Sequence, residues 1–294
     1  MEIKKAVIPV AGHGTRLLPA TKSQPKEMLP VGRKPVVQYV VEELEAAGLK
    51  QILFVTGRQK RSIEDHFDKD MNLLKELHQS GKKSIIEEMK YQEINVSFYY
   101  VRQSEQKGLA DAVSLARDFM EEDHFVCALG DSIISNSRVK DNLLKRMIEA
   151  HKKNNAACTL AIEKIPREET YRYGIVKVKK EQEKGVYAVE SLVEKPNIED
   201  SPSDLAIAAR YVFSPEIFQA IDMTLPDKAK EFQLTDSISL LIKKGAPVFA
   251  VLLRENEQRY DIGNYESYFK AFVDFALQDE KYGHMLRHYL ARKL

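Results

Sequence analysis

The chain contains 294 residues, of which 44% are hydrophobic and 30% charged, and its formal net charge is +1. This composition is typical of a folded globular protein and excludes an intrinsically disordered chain. The near-zero net charge argues against binding nucleic acid through bulk charge, so any phosphate site must be built locally. Cys127 and Cys158 lie in apolar runs, which predicts buried reduced thiols rather than a metal site.

The N-terminal segment bears on where the protein resides. Its first apolar run is interrupted by Gly12 and Arg16 and is too short for the core of a signal peptide. No apolar run in the sequence approaches the length of a membrane-spanning helix. We therefore expect a cytoplasmic protein that does not bind membranes.

The first half of the chain alternates short apolar runs with amphipathic segments. Apolar runs predict buried strands at residues 6–10, 52–55, 96–101 and 125–129, and helical periodicity predicts helices at 36–47, 58–67 and 110–120. Gly48 stands where a helix C-cap is expected. This alternation predicts an α/β fold with a Rossmann-like sheet, mixed and mostly parallel, and helices on both faces.

The second half has strand-like runs that follow one another closely. Strands are predicted at 173–178, 186–193, 206–213 and 248–253, a solvated hairpin turn at 179–184, and helices from 214, over 234–242 and from Glu266 onward. We interpret residues 1–294 as one domain, with one half at about 1–135 and the other at about 136–294.

A glycine-containing loop follows the first predicted strand and reads AGHGTRLLP over residues 11–19. In a doubly wound sheet this position lies at the carboxyl ends of the strands, where ligands bind. Gly12 and Gly14 would let backbone N–H groups approach a phosphate chain, and Arg16 adds a charged fork suited to phosphate oxygens. The loop is not the dinucleotide fingerprint, because Leu17 replaces the third glycine, and it is not a P-loop.

Further motifs extend this signal along the chain. The glycine loop together with PKEMLP at 25–30 resembles the bacterial UTP–glucose-1-phosphate uridylyltransferases. Similar segments follow in the family's order: QSEQKGLADA from Gln103, LGD ending at Asp131, YG at 173–174, VEKP at 193–196, RYVF at 210–213, EFQLTD at 231–236 and RYDIG at 259–263. The resemblance implies a nucleotidyltransferase fold of the glycosyltransferase-A kind, with a nucleotide-binding first half and a sugar-binding second half.

The resemblance also implies a reaction and roles for individual residues. A uridylyl group would pass from UTP to glucose 1-phosphate, giving UDP-glucose, which commonly feeds bacterial envelope glycans, and pyrophosphate. Lys26 would neutralise the α-phosphate and Lys195 the sugar phosphate, and Arg16 would hold the departing phosphates. The implied nucleotide-binding residues are Ala11, Gly12, Gly14, Thr15, Gln103 and Gly108, and the implied sugar-binding residues are Gly174 and Glu194.

This reaction requires positioning and positive charge rather than a general base. A phosphate monoester has a second pKa near ~6 and is largely dianionic at neutral pH, so it needs no base to attack. Asp131 and Asp261 each end an apolar strand, and Mg²⁺ is usually held by one or two carboxylates together with phosphates. We therefore predict Mg²⁺ as the cofactor, held by these two aspartates, where it stabilises the charge being transferred.

The chain departs from the family pattern at several positions. The family usually has proline at position 106, glycine and histidine at 110 and 111, aspartate at 132 and asparagine at 204. This chain has Gln106, Ala110, Asp111, Ser132 and Asp204 at those positions. None of these departures removes a predicted catalytic residue. The nearest alternative is a thymidylyltransferase or another sugar-nucleotide pyrophosphorylase, and a non-catalytic regulator that binds sugar nucleotides is a second. No nucleic-acid-binding module is recognisable, and we expect a homo-oligomer.

Overall fold

The computed structural model describes residues 2–136 and 141–293. Its strands are β1 (Lys5–Pro9), β2 (Pro30–Val31), β3 (Lys34–Pro35), β4 (Gln51–Thr56), β5 (Ser97–Arg102), β6 (Phe125–Ala128), β7 (Ser132–Ile134), β8 (Cys158–Lys164), β9 (Gly174–Glu183), β10 (Val186–Glu194), β11 (Leu205–Phe213), β12 (Val248–Leu252) and β13 (Arg259–Asp261). Its helices are α1 (Val36–Ala46), α2 (Arg61–Phe67), α3 (Met71–Gln79), α4 (Lys83–Glu88), α5 (Leu109–Ser114), α6 (Arg117–Met120), α7 (Leu143–Lys153), α8 (Glu216–Asp222), α9 (Leu234–Lys243), α10 (Tyr265–Gln278) and α11 (Gly283–Ala291).

A nine-stranded sheet forms the centre of the fold, with the strand order β5-β4-β1-β6-β11-β8-β12-β10-β9. β5, β4, β1 and β6 run parallel to one another, and β12 runs parallel to β8. β11 is antiparallel to β6 and β8, and β10 is antiparallel to β12 and β9. The sheet is therefore mixed, as predicted, but it is not mostly parallel, because four of its eight neighbouring pairs are antiparallel. Three of the four parallel pairs lie in the first half of the chain.

Helices cover both faces of this sheet. On one face α5, α8 and α9 contribute Val113, Ile217 and Ile238 to an apolar cluster, and on the other α1 and α7 contribute Leu44 and Met147 to a second cluster. All five side chains are completely buried. Burial on two sides explains why the central strands are continuous apolar runs.

One buried ion pair joins helix α1 to the middle of the sheet. Arg210 on β11 and Glu43 on α1 are 0% and 1% exposed, with 2.7 Å between Nη2 and Oε2. The guanidinium also donates to the carbonyl oxygens of Ser132 at 2.8 Å and Leu129 at 3.4 Å. Arg210 therefore stabilises the chain on both sides of Asp131.

Several segments differ from the sequence-based expectations. The predicted turn at 179–184 is mostly strand, because β9 continues to Glu183 and only Lys184 and Gly185 connect it to β10. Residues 179–184 are exposed, so their polar side chains are compatible with a strand and do not indicate a loop. The helix predicted at 110–120 is divided into α5 and α6, and the C-terminal pattern is divided into α10 and α11. The strands β2, β3, β7 and β8 and the helices α3, α4 and α7 were not predicted from the sequence.

Replacing Arg210 by methionine should lower the free energy of unfolding by about 3–5 kcal/mol, because Glu43 would remain buried without its partner. Replacing both residues, Glu43→Leu with Arg210→Met, should restore much of that loss, since no unpaired charge is left. Urea denaturation followed by circular dichroism measures both variants. A single variant as stable as the unmodified protein would contradict this account.

Candidate active site

Two of the predicted motifs meet where the strand order reverses. β1 lies between β4 and β6, so the loops that follow β1 and β6 flank the same crevice. The first is the glycine loop and the second leads to Asp131. Gly130 allows the two to approach, because a Cβ added there would lie 2.5 Å from Val10 Cγ1 and 3.1 Å from Ile8 Cγ2.

Lys26 extends into this crevice beside the glycine loop. It begins a short 3₁₀ helix, Lys26–Met28, and its ammonium forms an ion pair with Asp131. A Cβ added at Gly12 would lie 3.8 Å from Lys26 Nζ, so the loop backbone and this charge are close together. Burial alone would lower the pKa of Lys26, but the carboxylates of Asp131 and Glu27 outweigh it and raise the pKa. Lys26 is therefore a firmly protonated cation next to the loop.

A second buried lysine, which sequence reasoning missed, binds the backbone of the glycine loop. Lys60 Nζ donates to the Gly12 carbonyl at 2.7 Å and lies 2.8 Å from Glu27 Oε2. Lys60 and Glu27 are 5% and 1% exposed. Burial lowers the pKa of Lys60 and raises the pKa of Glu27. The pair links the glycine loop to the segment that bears Lys26.

A cavity of about 240 Å³ opens between the glycine loop and α5. Gln103, itself buried, donates through Nε2 to Asp111 Oδ2 at 2.7 Å and to the Gly108 carbonyl at 3.3 Å. Gly108 has a φ of 103°, and a Cβ there would lie 2.6 Å from the carbonyl oxygen of Phe232. The walls include Ala11, Gly12, Lys26, Gln103, Gln106, Gly108, Leu109, Leu129, Asp131 and Glu231.

A second cavity, of about 180 Å³, adjoins the first. Glu194 lies on its wall and accepts a hydrogen bond of 2.7 Å from Thr235 Oγ1. A Cβ at Gly174 would lie 3.1 Å from Glu194 Oε2 and 2.9 Å from Ile207 Cδ1, which explains the glycine. Leu109, Leu129 and Asp131 line both cavities. The Asp131 side of the crevice is therefore common to the predicted nucleotide and sugar sites.

Asp261 lines the second cavity and lies next to Asp131. It ends β13, a short strand outside the main sheet, and it pairs with Ser132 of β7. Asp261 therefore ends a strand, as expected, but only the central residue of that strand is buried. Asp131 does not end a strand, because β6 stops at Ala128. Burial raises the pKa of Asp261, and the nearby Asp131 carboxylate raises it further. Two carboxylates that repel each other in this way suit a cation between them.

Arg259 was not singled out, yet it organises the sugar side. Its guanidinium forms an ion pair with Glu163, lies 3.9 Å from Asp261 Oδ2 and stacks 4.5 Å from the centre of the Tyr173 ring. Lys60, Gln106, Thr235 and Glu231 were likewise missed as site residues. RYDIG and EFQLTD pointed to Arg259, Glu231 and Thr235, whereas no local pattern marks Lys60.

Arg16 and Lys195, two of the predicted catalytic residues, line neither cavity. Arg16 is exposed, and its Nη2 would lie 2.9 Å from a Cβ added at Gly263, next to Asp261. Lys195 is 58% exposed and lies 3.4 Å from Glu194 Oε1. Gly14 and Thr15 lie on the loop without lining a cavity. Arg16 therefore lies near Asp261, and Lys195 lies beside Glu194, both outside the two cavities.

Within residues 2–136 and 141–293, no group of three or more His, Cys, Asp or Glu side chains could hold a metal ion. In the same ranges, no helix is long and apolar enough to span a bilayer.

Comparison with known proteins places this chain in a family. The family model described as nucleotidyl transferase matches residues 5–278. A relative from Streptococcus pyogenes named UTP–glucose-1-phosphate uridylyltransferase 1 is 41% identical over 293 residues, which cover 99% of this chain and 94% of the relative.

Two solved structures are similar over nearly the whole chain. UTP-bound UGPase from Acinetobacter baumannii is 36% identical, with 99% of both chains covered and a TM-score of 0.89. A UDP-glucose pyrophosphorylase complexed with UDP-glucose is also 36% identical, with 95% of this chain and 100% of that chain covered and a TM-score of 0.85. These likenesses confirm the predicted fold class and the predicted resemblance. The chain belongs to the nucleotidyl transferase family.

Proposed function

We propose that this protein transfers the uridylyl group of UTP to glucose 1-phosphate, giving UDP-glucose and pyrophosphate. The observation that carries the proposal is the pair of adjoining cavities, which share Asp131, Leu109 and Leu129. One cavity has a glycine loop and a buried amide suited to a nucleotide, and the other has a carboxylate suited to sugar hydroxyls. The relative's name and the two complexes support the choice of UTP and glucose.

The reaction joins the two substrates at the boundary between the cavities. A phosphate oxygen of glucose 1-phosphate attacks the α-phosphorus of UTP, and the bond to the departing pyrophosphate breaks. The sugar phosphate is largely dianionic at neutral pH, so no side chain has to remove a proton. The protein must instead bring two anions together and neutralise them.

Positive side chains are distributed along this path. Lys26 lies beside the loop, where an α-phosphate would compete with Asp131 for its ammonium. Lys195 lies at the rim of the sugar cavity, next to Glu194, and would meet the sugar phosphate. Arg16 lies on the loop near Asp261 and would hold the leaving pyrophosphate. Backbone N–H groups of residues 11–15 would bind the remaining phosphate oxygens.

The family generally uses a divalent metal, and we propose Mg²⁺ for this chain. Asp131 and Asp261 would hold it, since they are adjacent carboxylates whose mutual repulsion a divalent cation would relieve. When bound, the ion would stabilise negative charge on the phosphates. Phosphate oxygens and water would complete its coordination, as is usual for Mg²⁺.

We also propose that the protein forms a homo-oligomer through its C-terminal helices. α10, α11 and the turn between them expose Phe272, Tyr282, Met285 and Tyr289 around an apolar groove of about 450 Å³. Contiguous exposed apolar surface of this kind is typical of protein contacts. The cytoplasmic location, the two-half division of the chain and the individual residue roles stay predictions.

Pyrophosphate release over a grid of nucleoside triphosphates and sugar 1-phosphates tests the proposed reaction. We expect UTP with glucose 1-phosphate to be the best pair, dTTP to react more slowly by roughly 10–200-fold, because one methyl group distinguishes the bases, and CTP to be nearly inert. A preference for dTTP would favour the thymidylyltransferase alternative. No release with any pair in the presence of magnesium would favour the non-catalytic one.

Alanine variants separate the roles of the two lysines. Lys26→Ala should lower kcat roughly 100-fold, because a charge directed at the reacting phosphate is lost. Lys195→Ala should mainly raise KM for glucose 1-phosphate, roughly tenfold, because it binds the phosphate of that substrate. Arginine at either position should not restore activity fully, since a planar fork does not replace a point charge. Lys270→Ala, an exposed lysine on α10, serves as the control, and identical kinetic profiles for the two active-site variants would contradict the division of roles.

A further inference from the structure

Asp111 holds the side-chain amide of Gln103 in one orientation. Gln103 follows β5, is 6% exposed and lines the 240 Å³ cavity, and Asp111 lies in the first turn of α5. Gln103 Nε2 lies 2.7 Å from Asp111 Oδ2 and 3.3 Å from the Gly108 carbonyl oxygen.

The chemistry of these partners fixes which atom of the amide lies between them. A carboxylate and a backbone carbonyl only accept hydrogen bonds, so the Gln103 atom that contacts both must be the NH₂ group. Both amide hydrogens are then used within the protein. Within the described ranges no hydrogen bond is donated to Gln103 Oε1, so the side chain offers the cavity an acceptor and no donor.

We propose that Asp111 is a positioning residue that makes the nucleotide cavity select a base with a donor at N3. Uracil and thymine carry an N3–H that the Gln103 carbonyl oxygen can accept. Cytosine presents an unprotonated N3, which would face that oxygen as a second acceptor and leave both unpaired. The inference rests on the proposed function, because it requires that the base of the triphosphate occupies this cavity.

Three triphosphates and a small set of variants test this role. kcat/KM is measured for UTP, dTTP and CTP with glucose 1-phosphate, in the unmodified protein, Asp111→Ala and Asp111→Asn. Asp118→Ala is the matched control, an exposed aspartate further along the same segment. Each substitution at 111 is also made in a Gln103→Ala background, because a residue that acts through Gln103 has no effect once that amide is removed.

The UTP:CTP ratio of kcat/KM should fall roughly tenfold in Asp111→Ala, since the amide of Gln103 can then turn and present its NH₂ group. Asp111→Asn, which still offers an acceptor, should lower the ratio less. The UTP:dTTP ratio should stay within about twofold, because both bases carry N3–H, whereas general damage to the cavity would change both ratios. In the Gln103→Ala background, neither substitution at 111 should change the UTP:CTP ratio.

An unchanged UTP:CTP ratio in Asp111→Ala would overturn the inference, as would an unchanged ratio in Asp111→Asn if the alanine variant does not fold. An effect of the same size without the Gln103 amide would also overturn it. If the unmodified protein does not use UTP, the proposed function itself fails and the inference fails with it. That outcome is recognised before any variant is made.

Discussion

The ion pair between Glu43 and Arg210 is the interaction on which the site most depends. It lies in the interior, where the cost of desolvating two charges offsets much of their attraction. Its main effect is to position the backbone around Asp131. The same guanidinium that pairs with Glu43 donates to the Leu129 and Ser132 carbonyls, which flank Asp131. Helix α1 and the central sheet therefore fix the position of the residue that both cavities share.

Charge in the crevice is balanced within the protein itself. Lys26 forms an ion pair with Asp131, and Lys60 forms one with Glu27. The carboxylate of Asp261 is repelled by that of Asp131 and attracted by the guanidinium of Arg259. This local arrangement explains how a chain with a net charge of +1 can bind a triphosphate and a sugar phosphate. Substrate phosphates would exchange one set of partners for another, so neither lysine has to be buried as an isolated charge.

Much of the fold could be predicted because its signals are local. The strands β1, β4 and β6 are short apolar runs, and the glycine loop stands directly after the first of them. Gly48 ends α1 as expected, with a φ of 97° that favours glycine. The end of β9 was predicted as a turn because its exposed residues are polar, although the backbone there is a strand. The C-terminal helical pattern was predicted as one helix because the short interruption between α10 and α11 does not break the pattern.

The site was predicted only in part, because some of its contacts join residues that are far apart in sequence. Lys60 contacts Gly12 and Glu27, and nothing in the residues around Lys60 indicates those partners. The contact between Gln103 and Asp111 is local, but the sequence marks Asp111 only as a departure from the family pattern. Which atom of an amide faces a cavity depends on its neighbours in space, so the orientation of Gln103 required the structure.

A crystal structure with UTP and magnesium would test most directly the claim that Asp131 links the two sites. The account predicts an ion within about 2.1 Å of oxygens from Asp131 and Asp261, with phosphate oxygens completing its coordination. It also predicts that Lys26 leaves Asp131 and contacts the α-phosphate. A complex in which Lys26 stays paired with Asp131 and the ion contacts neither aspartate would contradict it.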